Sequence, residues 1–270
     1  MVRYQVILAY DGSGFSGSQR QAASRRTVQG ELEKALYKVG WSGKSVLLAG
    51  RTDTGVHASG QVAAFDFDEW AHPAEKLLQA LNAELPSDLA VKDLRLAPAE
   101  FHPRFDAVSR SYRYRLFCEP IRDPLREKFA WRVWSPVDGD ALRRNAEIFL
   151  GTHDFAAFGS ATSEKGTTVR MVTRSEWRKK PDGEWQFEVR ADAFLYRMVR
   201  RLVFVQVSAA QGKVSVDEVR HALDGQGRLP AGLAPAHGLT LVDVDYGSFG
   251  KILKKRRDES ATEDVLSESR

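Results

Sequence analysis

One carboxylate in the stretch Ala49-Gly50-Arg51-Thr52-Asp53-Thr54-Gly55-Val56-His57-Ala58 is placed to do chemistry. Asp53 follows a guanidinium by two residues, and an imidazole follows it by four. The triplet Asp-Thr-Gly is also that of aspartic proteases, which need two carboxylates sharing one proton. No second Asp-Thr-Gly or Asp-Ser-Gly occurs in the chain. Arg51 nearby favours an ionised Asp53 over a shared proton. Two readings stay open on the triplet alone: a working carboxylate, or a turn residue, since Asp and Gly are commonest in loops.

Other reactive side chains are sparse. The six histidines, at 57, 72, 102, 153, 221 and 237, lack metal-ligand spacing. Cys118 stands alone, which excludes an internal disulfide framework and a cysteine-based metal site and fits a reducing compartment. No metal and no cofactor are expected. Arginine is the abundant base, 27 Arg against 13 Lys, in a chain of formal charge +4. Its planar fork suits phosphate better than an ammonium does, while a GC-rich genome would explain the bias equally well. No apolar run reaches the roughly 18 residues of a membrane helix, and the start Met1-Val2-Arg3-Tyr4 carries no signal-peptide pattern. A soluble cytoplasmic protein is expected.

The elements that must position Asp53 are read from periodicity. Tyr4–Tyr10 reads as a buried strand. Thr27 is a candidate N-cap for a helix over Val28–Val39, where Val28, Leu32, Ala35, Leu36 and Val39 share a face. Strands at Ser45–Ala49 and Gln61–Phe67 flank the Asp53 loop, followed by a helix over Ala74–Leu85 and a strand over Leu89–Leu96. In the second half a strand is expected at Ala107–Phe117, a helix at Asp140–Leu150 and a hairpin of Thr168–Arg178 with Trp185–Ala191. Helices over Phe194–Ala210 and Val216–Leu223 and a strand over Leu239–Tyr246 complete it. The expected class is α+β: two fused ferredoxin-like halves, each β-α-β-β-α-β, forming a mainly antiparallel sheet with a central cleft. The halves are 1–104, carrying the Asp53 loop, and 105–247. The charged tail, 248–270, reads as disordered.

Longer strings narrow the chemistry. AGRTDTGVHASGQVAAF resembles the GRTDAGVHAxGQ segment of the TruA family of tRNA pseudouridine synthases. Tyr10 to Gln21 (YDGSGFSGSQRQ) resembles YDGxxFxGWQxQ. Phe101-His102-Pro103-Arg104-Phe105 and Arg110-Ser111-Tyr112-Arg113-Tyr114 are similar to FHARF and RxYxY. Ala193 to Arg200 (AFLYRMVR) resembles NAFLxxMVR, and GLTLVDVDY near residue 246 resembles GLxLxxVxY. The matches come in order and cover nearly the whole chain before the tail.

The resemblance implies an isomerase that breaks the base-to-ribose C–N bond of uridine, turns the uracil and rejoins it through carbon. It implies tRNA as partner, positions 38, 39 and 40 of the anticodon arm as targets, and a homodimer. It makes Asp53 the catalytic carboxylate, paired with Arg200; such a pair depresses a carboxylate pKa by about 1–3 units. It also makes Tyr112 the ring that stacks on the target base, Leu241 an apolar wall beneath it, and Arg51 the side chain that fills the gap of the flipped base or holds its phosphate. Tyr112 alternates with Tyr114 on one strand, so one of the two is core. Arg25, Arg26, Arg104, Arg110, Arg113 and Arg126 are candidate phosphate contacts. His57 and His102 read as loop-ordering hydrogen bonders. A non-catalytic RNA-binding module is the alternative. Three residues depart from the family pattern: Ser18 where Trp is usual, Thr54 where Ala is usual, and Phe204 where a small Gly is common.

Overall fold

The computed structural model describes residues 1–21, 25–68, 70–161 and 166–247, so the expectation for the tail lies outside the described residues. The alternation after Met1 makes β1 (Val2–Tyr10), whose Tyr4, Val6, Leu8 and Tyr10 are buried on one face. Thr27 caps α1 (Val28–Lys38) by accepting from Gly30 N at 3.2 Å, and Val28, Leu32, Ala35 and Leu36 are all buried. β2 (Leu47–Leu48), β3 (His57–Phe67), α2 (Ala74–Glu84) and β4 (Leu89–Ala97) complete the first half. The second contains β5 (Ser109–Phe117), α3 (Pro124–Glu127), β6 (Trp131–Arg132), α4 (Gly139–Glu147), β7 (Gly151–Asp154), β8 (Val169–Lys179), β9 (Trp185–Ala191), α5 (Met198–Ala210), α6 (Val216–Leu223) and β10 (Leu239–Asp245).

The ten strands of the described residues join one mixed, mostly antiparallel sheet, whose main path runs β4-β1-β3-β10-β5-β9-β8-β7. β2 adds to β3 and β6 to β5. The first half has the order β4-β1-β3-β2 and the second β10-β5-β9-β8, each wholly antiparallel. A short parallel pairing of β10 with β3, Thr240 to His57 and Leu241 to Ala58, joins them. The apolar side chains form two clusters, one per half. Leu241, Val244 and Tyr246 from the chain's end belong to the first, and Val56 from the first half belongs to the second.

The join between the halves is tied down. Phe101 is fully buried and meets Tyr246 edge-on at 5.2 Å. Arg3 donates to Phe101 O at 2.9 Å and the Tyr246 hydroxyl to Pro103 O at 2.8 Å. Two expected boundaries move for tertiary reasons. β3 begins at His57, not Gln61, because its first residues pair with β10. α5 begins at Met198, not Phe194, because Tyr196 bridges to Ser160 and Arg197 takes a positive φ of 62°. Among the described residues no helix is long and apolar enough to cross a membrane.

Candidate active site

Asp53 sits in the loop between β2 and β3, and that loop is clasped from behind. Ser18 is fully buried; its hydroxyl accepts from Thr52 N at 2.8 Å, and its own N–H donates to Thr52 O at 3.1 Å. The Thr52 hydroxyl meets the buried Tyr10 hydroxyl at 2.9 Å. Val56 N closes the turn on Asp53 O at 3.1 Å. Gly12 packs so closely under this loop that a Cβ there would lie 2.1 Å from Val56 O. The glycine of the Tyr-Asp-Gly string is thus explained by backbone approach. Ser18, one of the departures, contributes two of the bonds that hold the residue next to Asp53.

The other half supplies the cation. Arg200, in the first turn of α5, places Nη1 3.1 Å from Asp53 Oδ2. Its Nε donates to Ala234 O at 2.8 Å, while its backbone carbonyl accepts from Ala234 N at 3.1 Å. The side chains are 16% and 25% exposed for Arg200 and Asp53, so the pair is partly shielded and still reachable. The same 234–238 segment receives the Tyr114 hydroxyl on Pro235 O at 2.8 Å and His57 Nε2 on His237 O at 3.1 Å.

His57 therefore spans both halves. Its Nδ1 accepts from Gly12 N at 3.0 Å, which assigns the proton to Nε2. Burial pushes its pKa below the ordinary value, against the opposing pull of Asp11, 3.2 Å away. Burial alone would raise the Asp11 carboxyl, but Lys128 at 2.7 Å and the Ser13 bonds outweigh it and hold it at about 2. This cluster orders the loop, in keeping with the role expected for His57.

Asp53 and Arg200 line a cleft of about 1070 Å³ together with Tyr112. Tyr112 is half-buried and meets Phe194 edge-on at 5.0 Å; burial first, then Tyr10 and Asp53, raise its hydroxyl pKa. Tyr114 is fully buried in the second core. Of the two tyrosines, Tyr112 faces the cleft. Leu241 does not: it is fully buried in the first core, and Leu239, two residues earlier on β10, lines the cavity. That expectation is corrected, because β10 sinks between β3 and β5 at Leu241.

The arginines separate into two groups. Arg51 and Arg104 line the cleft exposed, and neither guanidinium has a hydrogen bond or ion pair among the described residues. Arg25 is exposed but outside the cleft lining. Arg26 is spent on the fold: both arms grip Asp88 at 2.7 Å and it covers the Phe15 ring at 4.3 Å. Arg110 reaches the cleft but donates to Ala107, Asp192, Ala49 and Arg104 carbonyls, stapling the halves. Arg113 pairs with Glu188 and Arg126 covers Phe117. For Arg26 and Arg110 the phosphate-contact expectation is corrected, since both arms of each guanidinium are engaged within the fold; Arg113 gives Nε and Nη2 to Glu188 and lies outside the cleft lining.

Sequence reading missed Arg170, brought to the cleft from β8 with its Nε unpartnered among the described residues, because no motif surrounds it. Thr54 lines the cleft, exposed. Phe204, the third departure, lies over Gly232, where a Cβ would come within 2.2 Å of its ring at a backbone φ of 150°. Among the described residues no group of three His, Cys, Asp or Glu converges to hold a metal.

Among the described lining residues Asp53 is the one carboxylate; it is partly shielded, fixed by a cation from the opposite half and shares the cleft with the Tyr112 ring, an arrangement able to serve one-carboxylate chemistry on a ring-bearing substrate, with the rim arginines suited to an anion. The tRNA pseudouridine synthase family matches residues 6–106 and 146–247. The tRNA pseudouridine synthase A of Bacillus subtilis (strain 168) is 40% identical over 248 residues, 91% of this chain and 99% of that one. That of Methylacidiphilum infernorum (isolate V4) is 41% identical over 250 residues, 91% and 96%. That of Listeria innocua serovar 6a is 40% identical over 250 residues, 91% and 100%. The chain belongs to the tRNA pseudouridine synthase family.

Proposed function

We propose that this protein isomerises uridine to pseudouridine in tRNA, with Asp53 as the working carboxylate. The observation that carries the reading is the Asp53–Arg200 contact at 3.1 Å inside the cleft of a chain of this family. The reaction breaks the N1–C1′ bond, rotates the uracil and forms the C5–C1′ bond; C5 gives up its proton and N1 takes one up, so the product is an isomer of the substrate. No electron is exchanged and no group donor is consumed. Arg200 holds the carboxylate in place beside the sugar through a charge-assisted hydrogen bond. Tyr112 offers its ring to the base once it has left the helix; C1′ is out of reach within a stack. Leu239 supplies the apolar wall, and Arg51 and Arg104 take phosphates, which position the strand without reading its sequence.

The finer parts of the reading are these. The targets are positions 38, 39 and 40 of the anticodon arm. The two repeated strand orders are ferredoxin-like halves, 1–104 and 105–247, with the cleft between them. The protein works as a homodimer in the cytoplasm. Incubation of the purified chain with unmodified tRNA transcripts, followed by mapping of pseudouridine by nucleotide, tests the function. Product in the anticodon arm that disappears in Asp53→Asn, while binding persists, is the expected result. Binding without product from the wild-type chain overturns the reading in favour of an RNA-binding module.

A further inference from the structure

Two large aromatic side chains stand in water on the lining of the Asp53 cleft, Phe105 at 74% exposure and Tyr196 at 48%. Neither is a loose residue on a free loop. Phe105 belongs to a tight turn: His102 Nδ1 accepts from the N–H groups of Arg104 and Phe105 at 3.1 and 3.3 Å. The turn is closed by Asp106 N on His102 O at 3.1 Å and by His102 N on the Asp106 carboxylate at 2.8 Å. The His102 ring backs the Phe105 ring at 4.3 Å with 34° between planes, and the Arg104 guanidinium lies 5.7 Å from its centre. Tyr196 is held by its N–H on Ser160 O at 2.9 Å, and the Arg197 guanidinium lies 4.7 Å over its ring. Arg197 keeps this place with a left-handed backbone, φ 62°, that a non-glycine residue rarely adopts. Strain of that kind collects where geometry serves a ligand.

Each site therefore repeats one arrangement: an anchored, solvent-exposed ring with a cation beside it, on the lining of the same cavity as the reactive carboxylate. A ring with a nearby arginine is how proteins take single-stranded bases, because every base has a π-face and its phosphate is an anion. We propose that Phe105 with Arg104, and Tyr196 with Arg197, are two stacking subsites for the nucleobases next to the target uridine on the substrate strand. The proposal rests on the reading that RNA enters this cleft. It assigns to these rings the neighbouring bases, whereas Tyr112 faces the target. The physical gain is that bases displaced with the target exchange one stack for another, so opening the strand costs less.

The test uses the full chain and an unmodified tRNA transcript, with the variants Phe105→Ala, Phe105→Tyr, Tyr196→Ala and Tyr196→Phe. Loss of one stacked base raises KM about 5- to 150-fold in each alanine variant. At saturating tRNA kcat stays near the wild-type value, and the ring-keeping variants behave as wild type. Both rings are exposed, so thermal unfolding of every variant should match the parent. A transcript carrying 2-aminopurine beside the target uridine gives the direct readout: its fluorescence change on binding is lost with the alanine variant of the ring that takes it. Unchanged KM and fluorescence in both alanine variants overturn the proposal. So does an equal loss in the ring-keeping variants, which would assign the effect to something other than stacking. A wild-type chain that binds tRNA without forming pseudouridine overturns the isomerase reading instead, and the fluorescence arm still decides the subsites.

Discussion

Arg200 Nη1 and Asp53 Oδ2 meet at 3.1 Å although 147 positions separate them in the chain. The contact joins the first turn of α5 in one half to the β2–β3 loop in the other, and each partner is anchored independently. Asp53→Asn should leave tRNA affinity nearly intact and bring product below detection. Arg200→Met removes a charge-assisted bond worth about 1.5–3 kcal/mol in comparable settings, so kcat should fall about tenfold or more. A wild-type kcat in Arg200→Met, measured by single turnover, would remove the pair from the mechanism.

Ser18 offers a separate test of the loop. Ser18→Ala leaves the buried Thr52 N–H without its acceptor, a loss of about 1–3 kcal/mol. Tm should drop by about 2–4 °C for each kcal/mol in a chain of this size. Because the clasp touches the residue next to Asp53, kcat should fall more than tRNA affinity does. Equal changes in both would make Ser18 a fold residue only.

The pH dependence of stability follows from His57 and His237, whose pKa values burial pushes below the ordinary 6.5. The unfolded chain takes up protons on these rings at a higher pH than the folded one. Their stabilising contribution is thus fully present above about 6.5 and is lost as pH falls through the folded values. Asp11, held at about 2, titrates too low to contribute in that window. The charged groups around the two rings are Asp11, Lys128, Glu127 and Arg200. Tm measured between pH 5 and 7.5 should decline on the acid side, and His57→Gln, which keeps a donor for His237 O, should flatten that decline. An unchanged acid slope in the variant would show that His57 stays uncharged throughout.

The two groups of arginines make opposite predictions. tRNA affinity should fall steeply with salt, and Arg51→Ala or Arg104→Ala should reduce the slope of log affinity against log salt by about one each, with Tm unchanged. Arg110→Ala and Arg26→Ala should instead lower Tm, because those guanidinia hold carbonyls of both halves and the Asp88 carboxylate. Calorimetry alongside binding titrations at three salt concentrations separates the groups.

Much of this protein was legible in the order of its residues. Thr27 before an amphipathic run marked α1, an apolar run marked β1, and alternation marked β4 and β5, because those signals are local to each element. Asp53, Arg200 and Tyr112 were legible as candidates because their strings resemble a family's, and the fold brings the three to one cleft. Long-range pairing decided the rest. Whether Tyr112 or Tyr114 faced the cleft depended on which ring the 234–238 segment covered. Leu241 rather than Leu239 lay outside the cavity because β10 is flanked there by β3 and β5. Arg26 and Arg110 carry the same guanidinium as Arg51, and only their distant acceptors, Asp88 and four carbonyls, took them out of the binding set. A side chain's type is written in the sequence, but whether its donors are free depends on what the fold brings against them.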